Sequence, residues 1–317
     1  MPETTSPHAL ANLASLPASV RGALYMAVAA LAMVLMHALV RVLSTDIHPF
    51  EIAFFRNFFG FLVLLPVLWR QGTGQLRARR PGLIVLRGFV DSLAMLAFFA
   101  ALAITPLAAV TALSFTAPLF ATLLAIPILR EVVGLRRALS LVVGFVGALI
   151  VVRPGSAEIM SAGAGLVLLA AGFWGLTLTF IKILSRTESS VAITFYAALA
   201  LMPLTLLASL PVWTWPDANH WGLLALTGVF GTVAQLCLSQ ALRLAEVTAV
   251  LPIDFTRLIW SALLGFVLFA EIPDAATLLG GSLIFGSVVY ITHRERLRSR
   301  AARDNTATTT RPLGGPR

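Results

Sequence analysis

The chain has 317 residues, of which 58% are hydrophobic and only 12% are charged, and its formal net charge is +9. About a quarter of the residues of a typical soluble domain are charged, so this composition excludes an ordinary water-soluble enzyme and predicts a membrane protein. The excess positive charge lies mainly in loops and in the tail, where membrane topology accounts for it better than binding to nucleic acid.

Ten apolar stretches follow a polar start. Residues 1–20 contain three prolines and are predicted to form a short disordered arm. Each of the ten stretches is long enough, or nearly so, to cross a bilayer core of about 30 Å. They run over residues 21–43, 51–69, 83–104, 106–129, 137–152, 163–184, 190–210, 220–243, 247–270 and 275–292. The arginine- and threonine-rich residues 293–317 are predicted to be a disordered basic tail.

The distribution of arginine predicts the orientation of the chain. An even number of spans places both termini on the same side of the membrane. With the termini in the cytoplasm, the outer side carries only Arg153 and, at a helix end, Arg41. The cytoplasmic loops then carry Arg70, Arg77, Arg79, Arg80, Arg130, Arg136, Arg137, Arg186 and Arg243. Positive residues favour the cytoplasmic side, so we predict a multi-pass membrane protein with both termini inside.

An internal repeat divides the chain into two halves. Residues 87–131 align without a gap with residues 227–271, 140 positions further along. The shared pairs include Gly88 with Gly228, Ala101-Leu102 with Ala241-Leu242, Phe115-Thr116 with Phe255-Thr256, and Glu131 with Glu271. Because each half holds an odd number of spans, five, the second half must enter the membrane upside down. The halves, residues 21–155 and 163–292, are therefore predicted to meet at a central site that opens alternately to the two sides.

Several segments also carry a family resemblance. They are Arg87-Gly88, Ala94-Met95-Leu96, Phe98-Phe99-Ala100, Pro106-Leu107-Ala108, Phe115 to Phe120 and Leu129-Arg130-Glu131. In this order and spacing they resemble the drug/metabolite transporter superfamily, and more narrowly its EamA-type bacterial members. The resemblance implies an all-α fold of ten transmembrane helices in two inverted five-helix repeats, with a central cavity lined by the first four helices of each half. It also implies export or uptake of small organic metabolites such as amino acids, amines or vitamins.

Two charged pairs lie inside predicted spans, where a charge is costly and usually has a function. Arg87 and Asp91 are four residues apart on the third span and share a helix face. They are interpreted either as a cavity carboxylate held by its arginine or as a pair near the surface, with Arg87 snorkelling. Asp254 and Arg257, three residues apart on the ninth span, either line the cavity or form a structural bridge between helices.

The other predicted substrate-binding or coupling residues are His37, Arg56, Ser114, Thr116, Trp174, Tyr196, Gln235 and Ser239. His37 is interpreted as a proton carrier or a ligand contact, or as a histidine bonded to a backbone carbonyl. Arg56 suits either substrate contact or a bridge between helices. Gln235 and Ser239 share a face of the eighth span and suit either cargo binding or contact between helices. Trp174 and Tyr196 suit stacking on a substrate or ordinary packing.

The sequence contains no motif for ATP hydrolysis, for hydrolytic catalysis or for metal binding. We therefore predict no catalytic residue, no cofactor and no metal, and a protein that is not an enzyme. The predicted partners are a small-molecule substrate and the lipid bilayer, with transport driven by a proton or sodium gradient or by exchange. Glycines of the fifth and tenth spans suit helix packing or a homodimer. The alternatives are a membrane-embedded lipid-modifying enzyme, against which the scattered histidines and carboxylates argue, and a lipid flippase.

Overall fold

The computed structural model describes residues 17–71, 79–129, 135–153, 158–184, 187–188, 190–245 and 253–309. These residues form eleven α-helices and one short 3-10 helix, Leu210–Val212. In chain order the α-helices are α1 Ala18–Leu43, α2 Pro49–Gln71, α3 Pro81–Ile104, α4 Leu107–Ser114, α5 Ala117–Leu129, α6 Leu135–Val152, α7 Glu158–Leu184, α8 Ser190–Ser209, α9 Ala218–Leu244, α10 Thr256–Phe269 and α11 Ala275–Thr309.

These helices confirm the predicted all-α membrane fold. Within the described ranges, six spans are long and apolar enough to cross a membrane, if α4 and α5 are counted as one span. Shorter apolar helices, namely Ala138–Val152, Ala198–Val212, Thr256–Phe269 and Ala275–Ile291, account for the other four predicted spans. The protein is therefore a multi-pass membrane protein.

The fourth predicted span is not one continuous helix, because α4 ends at Ser114 and α5 begins at Ala117. At the break, the Thr116 hydroxyl donates to the Leu113 carbonyl at 2.7 Å. The ninth predicted span shows the same local arrangement, where the Thr256 hydroxyl donates to the Ile253 carbonyl at 2.7 Å. Such short side-chain bonds offer the backbone an alternative to the regular helix ladder. The two repeats therefore share a break as well as a sequence.

The ends of the chain differ from the prediction or lie outside the description. The last span was predicted to end at residue 292, with a disordered tail from residue 293, whereas α11 continues to Thr309. Residues 1–16 of the predicted arm and residues 310–317 lie outside the described residues. So do Glu131 and residues 247–252 of the ninth predicted span.

The equivalent helices α6 and α11 cross in opposite directions, as inverted repeats require. A Cβ atom on Gly147 would lie 2.7 Å from the Gly280 carbonyl oxygen and 2.9 Å from Leu283, whereas one on Gly144 would lie 3.2 Å from Ser287. Later residues of α6 thus lie beside earlier residues of α11, so the two helices are antiparallel. The glycines of the fifth and tenth predicted spans therefore pack against the other helix of the same chain. Only glycine permits so close an approach of two backbones.

The two halves interlock rather than sit side by side. The most extensive helix contacts are those of α1 with α9, of α3 with α7 and of α6 with α11, and each joins one half to the other. The first helix of each half therefore packs on the third helix of its twin. The main buried core includes residues of these helices, such as Val34, Phe98, Val167 and Leu224.

Carboxylates hold the loops together at the surface where α1 ends, which we call the opposite surface. Glu271 pairs with Arg41 and accepts a hydrogen bond from the Leu107 backbone N–H at 3.0 Å. Glu51 is fully buried and accepts from the backbone N–H of Thr214 at 3.0 Å. Both contacts join the first half to the second at this surface.

At the surface where α1 begins, which we call the N-terminal surface, Glu188 accepts hydrogen bonds from the backbone N–H groups of Arg79 and Arg80. The shortest of these is 2.7 Å. Glu188 lies in the second half and its donors precede α3, so this contact also joins the halves. A carboxylate of one half thus holds the start of the other half's third helix at each surface.

Candidate functional site

Asp91 lies at the centre of a polar cluster between the two halves. It interacts electrostatically with Arg87, one turn earlier on α3, and with Arg56 on α2. The indole of Trp174 on α7, in the second half, lies beside the same carboxylate. The predicted pairing of Arg87 with Asp91 is thus extended by a second arginine and an aromatic side chain, which join three helices around one carboxylate.

Arg56 is packed closely and is only partly bonded. One terminal nitrogen donates to the side-chain oxygen of Asn57 at 2.8 Å. Its Nε is buried and has no hydrogen-bond partner among the described residues. A Cβ atom on Gly231 of α9 would lie 2.8 Å from this Nε and 2.9 Å from a terminal nitrogen. Glycine at position 231 therefore leaves room for the guanidinium group.

His37 on α1 connects the two ends of the cluster. Its side chain is 5% exposed, and its ring centroid lies 4.9 Å from that of Phe98, which in turn lies 4.9 Å from Trp174. The charges of Arg257 and Arg56 both act on the imidazole. Its Nδ1 is buried without a hydrogen-bond partner in the described part of the chain. The imidazole thus has one polar atom that the protein leaves unused.

Asp254 and Arg257 form the predicted pair at the start of α10. A terminal nitrogen of Arg257 lies 2.6 Å from the Asp254 carboxylate, and each side chain is 18% exposed. The Arg257 guanidinium carbon also lies 4.5 Å above the ring of Phe115, at the break between α4 and α5. A cation over an aromatic face is attractive, so this arginine of the second half is held against the first.

We call these residues the seam cluster: His37, Arg56, Arg87, Asp91, Trp174, Asp254 and Arg257. They come from α1, α2, α3, α7 and the start of α10. All seven were predicted from the sequence, and the structure brings them together where the halves meet. All except His37 are partly exposed.

The other predicted site residues lie outside the seam cluster. Gln235 and Ser239 are exposed on α9, and the Ser239 hydroxyl donates to the Gln235 carbonyl at 2.8 Å. Tyr196 lines a groove of about 880 Å³ between α3 and α8. Ser114 and Thr116 flank Phe115, and both hydroxyls bond to backbone carbonyls of α4 at 2.7 Å.

Asn57 belongs beside the seam cluster, although sequence reasoning missed it. It is buried and accepts the hydrogen bond from Arg56. Its amide nitrogen lies 3.4 Å from the Met95 sulfur and 3.4 Å from the Thr205 hydroxyl, and so connects α2 with α3 and α8. An amide directly after an arginine inside an apolar span was the signal that could have found it.

The fold and the seam cluster together define a class of protein. Two inverted five-helix repeats enclose charged side chains within the membrane, which is the architecture of many secondary transporters. Known proteins support this class. The EamA-like transporter family matches residues 20–153 and 161–293, which correspond to the two repeats. The chain belongs to this family, and thus to the drug/metabolite transporter superfamily.

Curated relatives cover most of the chain. It is 32% identical to an S-adenosylmethionine uptake transporter of Rickettsia felis, over 80% of this chain and 86% of that protein. It is 32% identical to a riboflavin transporter of Vibrio cholerae, over 90% of this chain and 97% of that protein. It is 29% identical to the pseudopaline exporter CntI of Pseudomonas aeruginosa, over 87% of this chain and 97% of that protein.

One solved crystal structure shares the fold. It superposes with a TM-score of 0.59 over 87% of this chain and 96% of the other, at 17% sequence identity. At this identity the likeness concerns the arrangement of helices alone.

Proposed function

We propose that this protein is a secondary transporter that moves small organic metabolites across a bacterial inner membrane by alternating access. Both termini are placed in the cytoplasm, because this orientation puts most loop arginines inside. The observation that carries the proposal is the seam cluster itself, a set of charged side chains from both halves at the junction of two inverted repeats. Such intramembrane charges mark substrate or ion pathways.

Unequal packing of two corresponding helix pairs supports alternating access. In the pair α2 and α9, a Cβ atom on Gly228 would lie only 2.5 Å from Phe59 Cβ and 2.7 Å from the Gly60 nitrogen. In the corresponding pair α3 and α8, the helices flank a groove of about 880 Å³ that is lined by residues such as Phe89 and Leu199. If the halves exchanged these arrangements, the groove would close and the α2–α9 pair would separate. Two arrangements of one repeat are what alternating access needs.

The contacts at the opposite surface fit the same scheme. The contacts of Glu271 with Arg41 and Leu107, and of Glu51 with Thr214, join the halves there. In this proposal the cargo enters from the N-terminal surface, at which the groove between α3 and α8 begins with Pro81. Transport to the other side requires that the carboxylate contacts at the opposite surface break.

The relatives support small metabolites as the class of cargo, since those three proteins carry names of transporters for S-adenosylmethionine, riboflavin and pseudopaline. In this proposal Asp91 and Arg56 contact the cargo from α3 and α2, Arg257 contacts it from α10, and Trp174 forms an aromatic wall. Asp91 or Asp254 couples transport to a proton or sodium gradient, or else the protein exchanges one solute for another.

Transport by purified protein in proteoliposomes tests this proposal. A panel of labelled amino acids, amines, vitamins and nucleosides is offered with and without an imposed proton or sodium gradient, and initial rates are measured against concentration. We expect saturable flux of at least one solute, reduced at least tenfold by Asp91→Asn or Asp254→Asn. Asp46→Asn is the matched control, because Asp46 is largely exposed at a loop and contacts only the side chains of Thr45 and His220 among the described residues.

Two results would contradict the proposal. If no solute shows saturable, protein-dependent flux, the protein is not a transporter of this class of compound. If both the Asp91→Asn and Asp254→Asn variants keep the full rate, the seam cluster is not the site of recognition or coupling.

A further inference from the structure

We propose that the groove between α3 and α8 binds an anionic phospholipid, with one acyl chain in the groove and the phosphate against Arg79 and Arg80 at its mouth. The inference goes beyond the proposed function, which concerns small metabolites at the seam cluster. It adds a separate lipid site and the sign of the lipid's charge. The shape, the lining and the charge of the groove each support it.

The groove has the size and depth that an acyl chain requires. Its volume of about 880 Å³ is that of a ligand site, and its lining on α3 extends from Pro81 to Phe89. That length of helix is about 12 Å, and half of a bilayer core is about 15 Å thick. Because α3 begins at the N-terminal surface, the groove follows one leaflet from that surface towards the middle of the membrane.

The lining of the groove is almost entirely apolar. Among the described residues that line it, only Tyr196 has a polar side chain. Ile84 is buried at the bottom of the groove, whereas Val85, Phe89 and Leu199 are exposed along it. A hydrocarbon chain would fill such a groove through van der Waals contacts. A polar metabolite would lose its hydrogen bonds to water there, so the lining favours a lipid chain.

Positive charge lies at the mouth of the groove. Arg79 and Arg80 directly precede Pro81, the first lining residue, and both of their side chains are exposed. Their backbone N–H groups donate to the carboxylate of Glu188, which fixes the two residues beside the groove without use of the guanidinium groups. Guanidinium groups bind phosphate well, and basic sites between helices on the cytoplasmic side bind anionic headgroups. In the proposed orientation this surface is cytoplasmic.

The equivalent place in the second repeat has neither feature. Extended upstream by eight residues, the repeat alignment places Asn219 and His220 at the positions of Arg79 and Arg80. The helices α2 and α9, which correspond to α8 and α3, pack closely at Gly228. Among the described residues, the groove and the paired arginines therefore coincide at one surface. Exposure of helices to lipid in general does not account for this coincidence.

Two other occupants fit less well. A second copy of the chain, related by twofold symmetry, would bring its own Arg79 and Arg80 against those of the first copy, and like charges repel. A zwitterionic phospholipid would supply the chain and the phosphate, but its ammonium group would face the same arginines. The expected order of affinity is therefore an anionic phospholipid before a zwitterionic one with the same chains.

Native mass spectrometry of the purified full-length protein in detergent tests this order. The protein is titrated with phosphatidylglycerol or phosphatidylethanolamine of identical acyl chains, and bound lipids are counted at each concentration. We expect one phosphatidylglycerol to bind about tenfold more tightly than phosphatidylethanolamine. The double variant Arg79→Gln/Arg80→Gln should lose this preference, and Arg79→Lys/Arg80→Lys should retain part of it. Neither variant removes the hydrogen bonds of Glu188, because these involve backbone N–H groups.

The double variant Arg298→Gln/Arg300→Gln is the matched control for charge. It removes two positive charges from α11, which ends at the same surface but does not line the groove. The preference for phosphatidylglycerol should therefore remain. If this variant loses as much of the preference as Arg79→Gln/Arg80→Gln, the net charge of the protein accounts for the binding and the inference is wrong.

Gly82→Leu tests the groove itself. Gly82 lines the groove, and a Cβ atom added there would meet no atom within 4 Å, so a larger side chain fits without a clash. The leucine should occupy the mouth of the groove and weaken binding of phosphatidylglycerol about fivefold or more. Gly222→Leu is the matched control, because Gly222 is 140 positions further along and has equally open space. Melting temperatures in detergent verify that both variants are folded.

Several results would overturn the inference. They are equal affinity for the two lipids, an unchanged preference in Arg79→Gln/Arg80→Gln, and equal binding of phosphatidylglycerol by Gly82→Leu and Gly222→Leu. A dimer that carries no lipid as the only species would also overturn it. The outcome is separable from that of the proposed function. Solute flux without a lipid preference would overturn this inference alone, and lipid binding without flux of any solute would overturn the transporter proposal alone.

Discussion

Phe115 and Phe255 occupy the same position of the two sequence repeats, and their ring centroids lie 5.7 Å apart across the junction of the halves. In an arrangement with twofold symmetry, a residue meets its own equivalent only on the axis. The pseudo-twofold axis therefore passes between these two rings, beside Arg257 and the helix breaks. The seam cluster thus lies next to the point about which the two halves are related.

Asp91→Asn should destabilise the protein by about 2–4 kcal/mol, since removal of one member of a buried charged group leaves the others unpaired. Arg87 and Arg56 would then face each other's charge without the carboxylate between them. Thermal or denaturant unfolding in detergent measures the change. A second substitution, Arg87→Met, should recover part of the lost stability, and a double variant less stable than the single one would contradict this account.

Gly231→Ala should weaken ligand binding without any change of charge. The new methyl group would lie 2.8 Å from Arg56 Nε, so the guanidinium group must move away from its present position. We expect an affinity loss of about tenfold, or roughly 1.4 kcal/mol, measured by calorimetry with a bound ligand. Gly222→Ala, on the same helix and with open space around it, is the matched control. Equal affinity of both variants would show that ligand binding does not depend on the position of the Arg56 guanidinium group.

The contact between Arg41 and Glu271 should stabilise the junction of the halves at the opposite surface. Both side chains are largely buried, at 18% and 17% exposure, so screening by water is limited. A double-mutant cycle with Arg41→Gln and Glu271→Gln should give a coupling energy of roughly 1–3 kcal/mol. Each single variant should also increase labelling of a cysteine placed at Thr105, which is fully buried beside Arg41, by an impermeant thiol reagent. Unchanged labelling would mean that this pair does not hold the surface closed.

Ala270→Gly should stabilise the protein by about 1 kcal/mol, because a non-glycine residue in the left-handed region is strained. Ala270 ends α10 with a φ of 53°, and this turn directs Glu271 towards Arg41 and the Leu107 backbone. The melting temperature in detergent measures the gain. Ala262→Gly, inside α10, should have the opposite sign, since glycine is unfavourable in a helix interior. A loss of stability in Ala270→Gly would show that the backbone at Ala270 is not strained.

The sequence was a good guide to the membrane spans for a simple physical reason. A bilayer requires about twenty apolar residues per helix, so hydrophobic length alone locates each span. The prediction placed the first span at residues 21–43, and α1 runs over Ala18–Leu43. It was less successful where hydropathy carries no information. The break at Phe115 arises from hydrogen bonds of serine and threonine to the backbone, and the extension of α11 to Thr309 lies in polar residues.

In the candidate site, too, the sequence located some residues and missed others. Each charged residue within an apolar span stood out in the sequence, because charge in a bilayer is costly, and the seam cluster includes five of them. Neutral polar residues gave no such signal. Gln235 and Ser239 were predicted to line the site but are exposed on α9, whereas Asn57 was overlooked but is buried beside Arg56. A hydroxyl or amide is tolerated on several helix faces, so its type does not fix its surroundings.

The sequence by itself determined the membrane class, the span positions, the duplication and, through the odd number of spans in each half, the inversion of the second half. These are properties of hydrophobic length and of repetition along the chain. Only the tertiary structure decided that Asp91 is shared by Arg56 and Arg87, that Gly231 accommodates a guanidinium group, and that Phe115 meets Phe255. Those contacts join residues far apart in the chain, and they depend on how interlocking helices rotate and cross, which no local pattern of residues encodes.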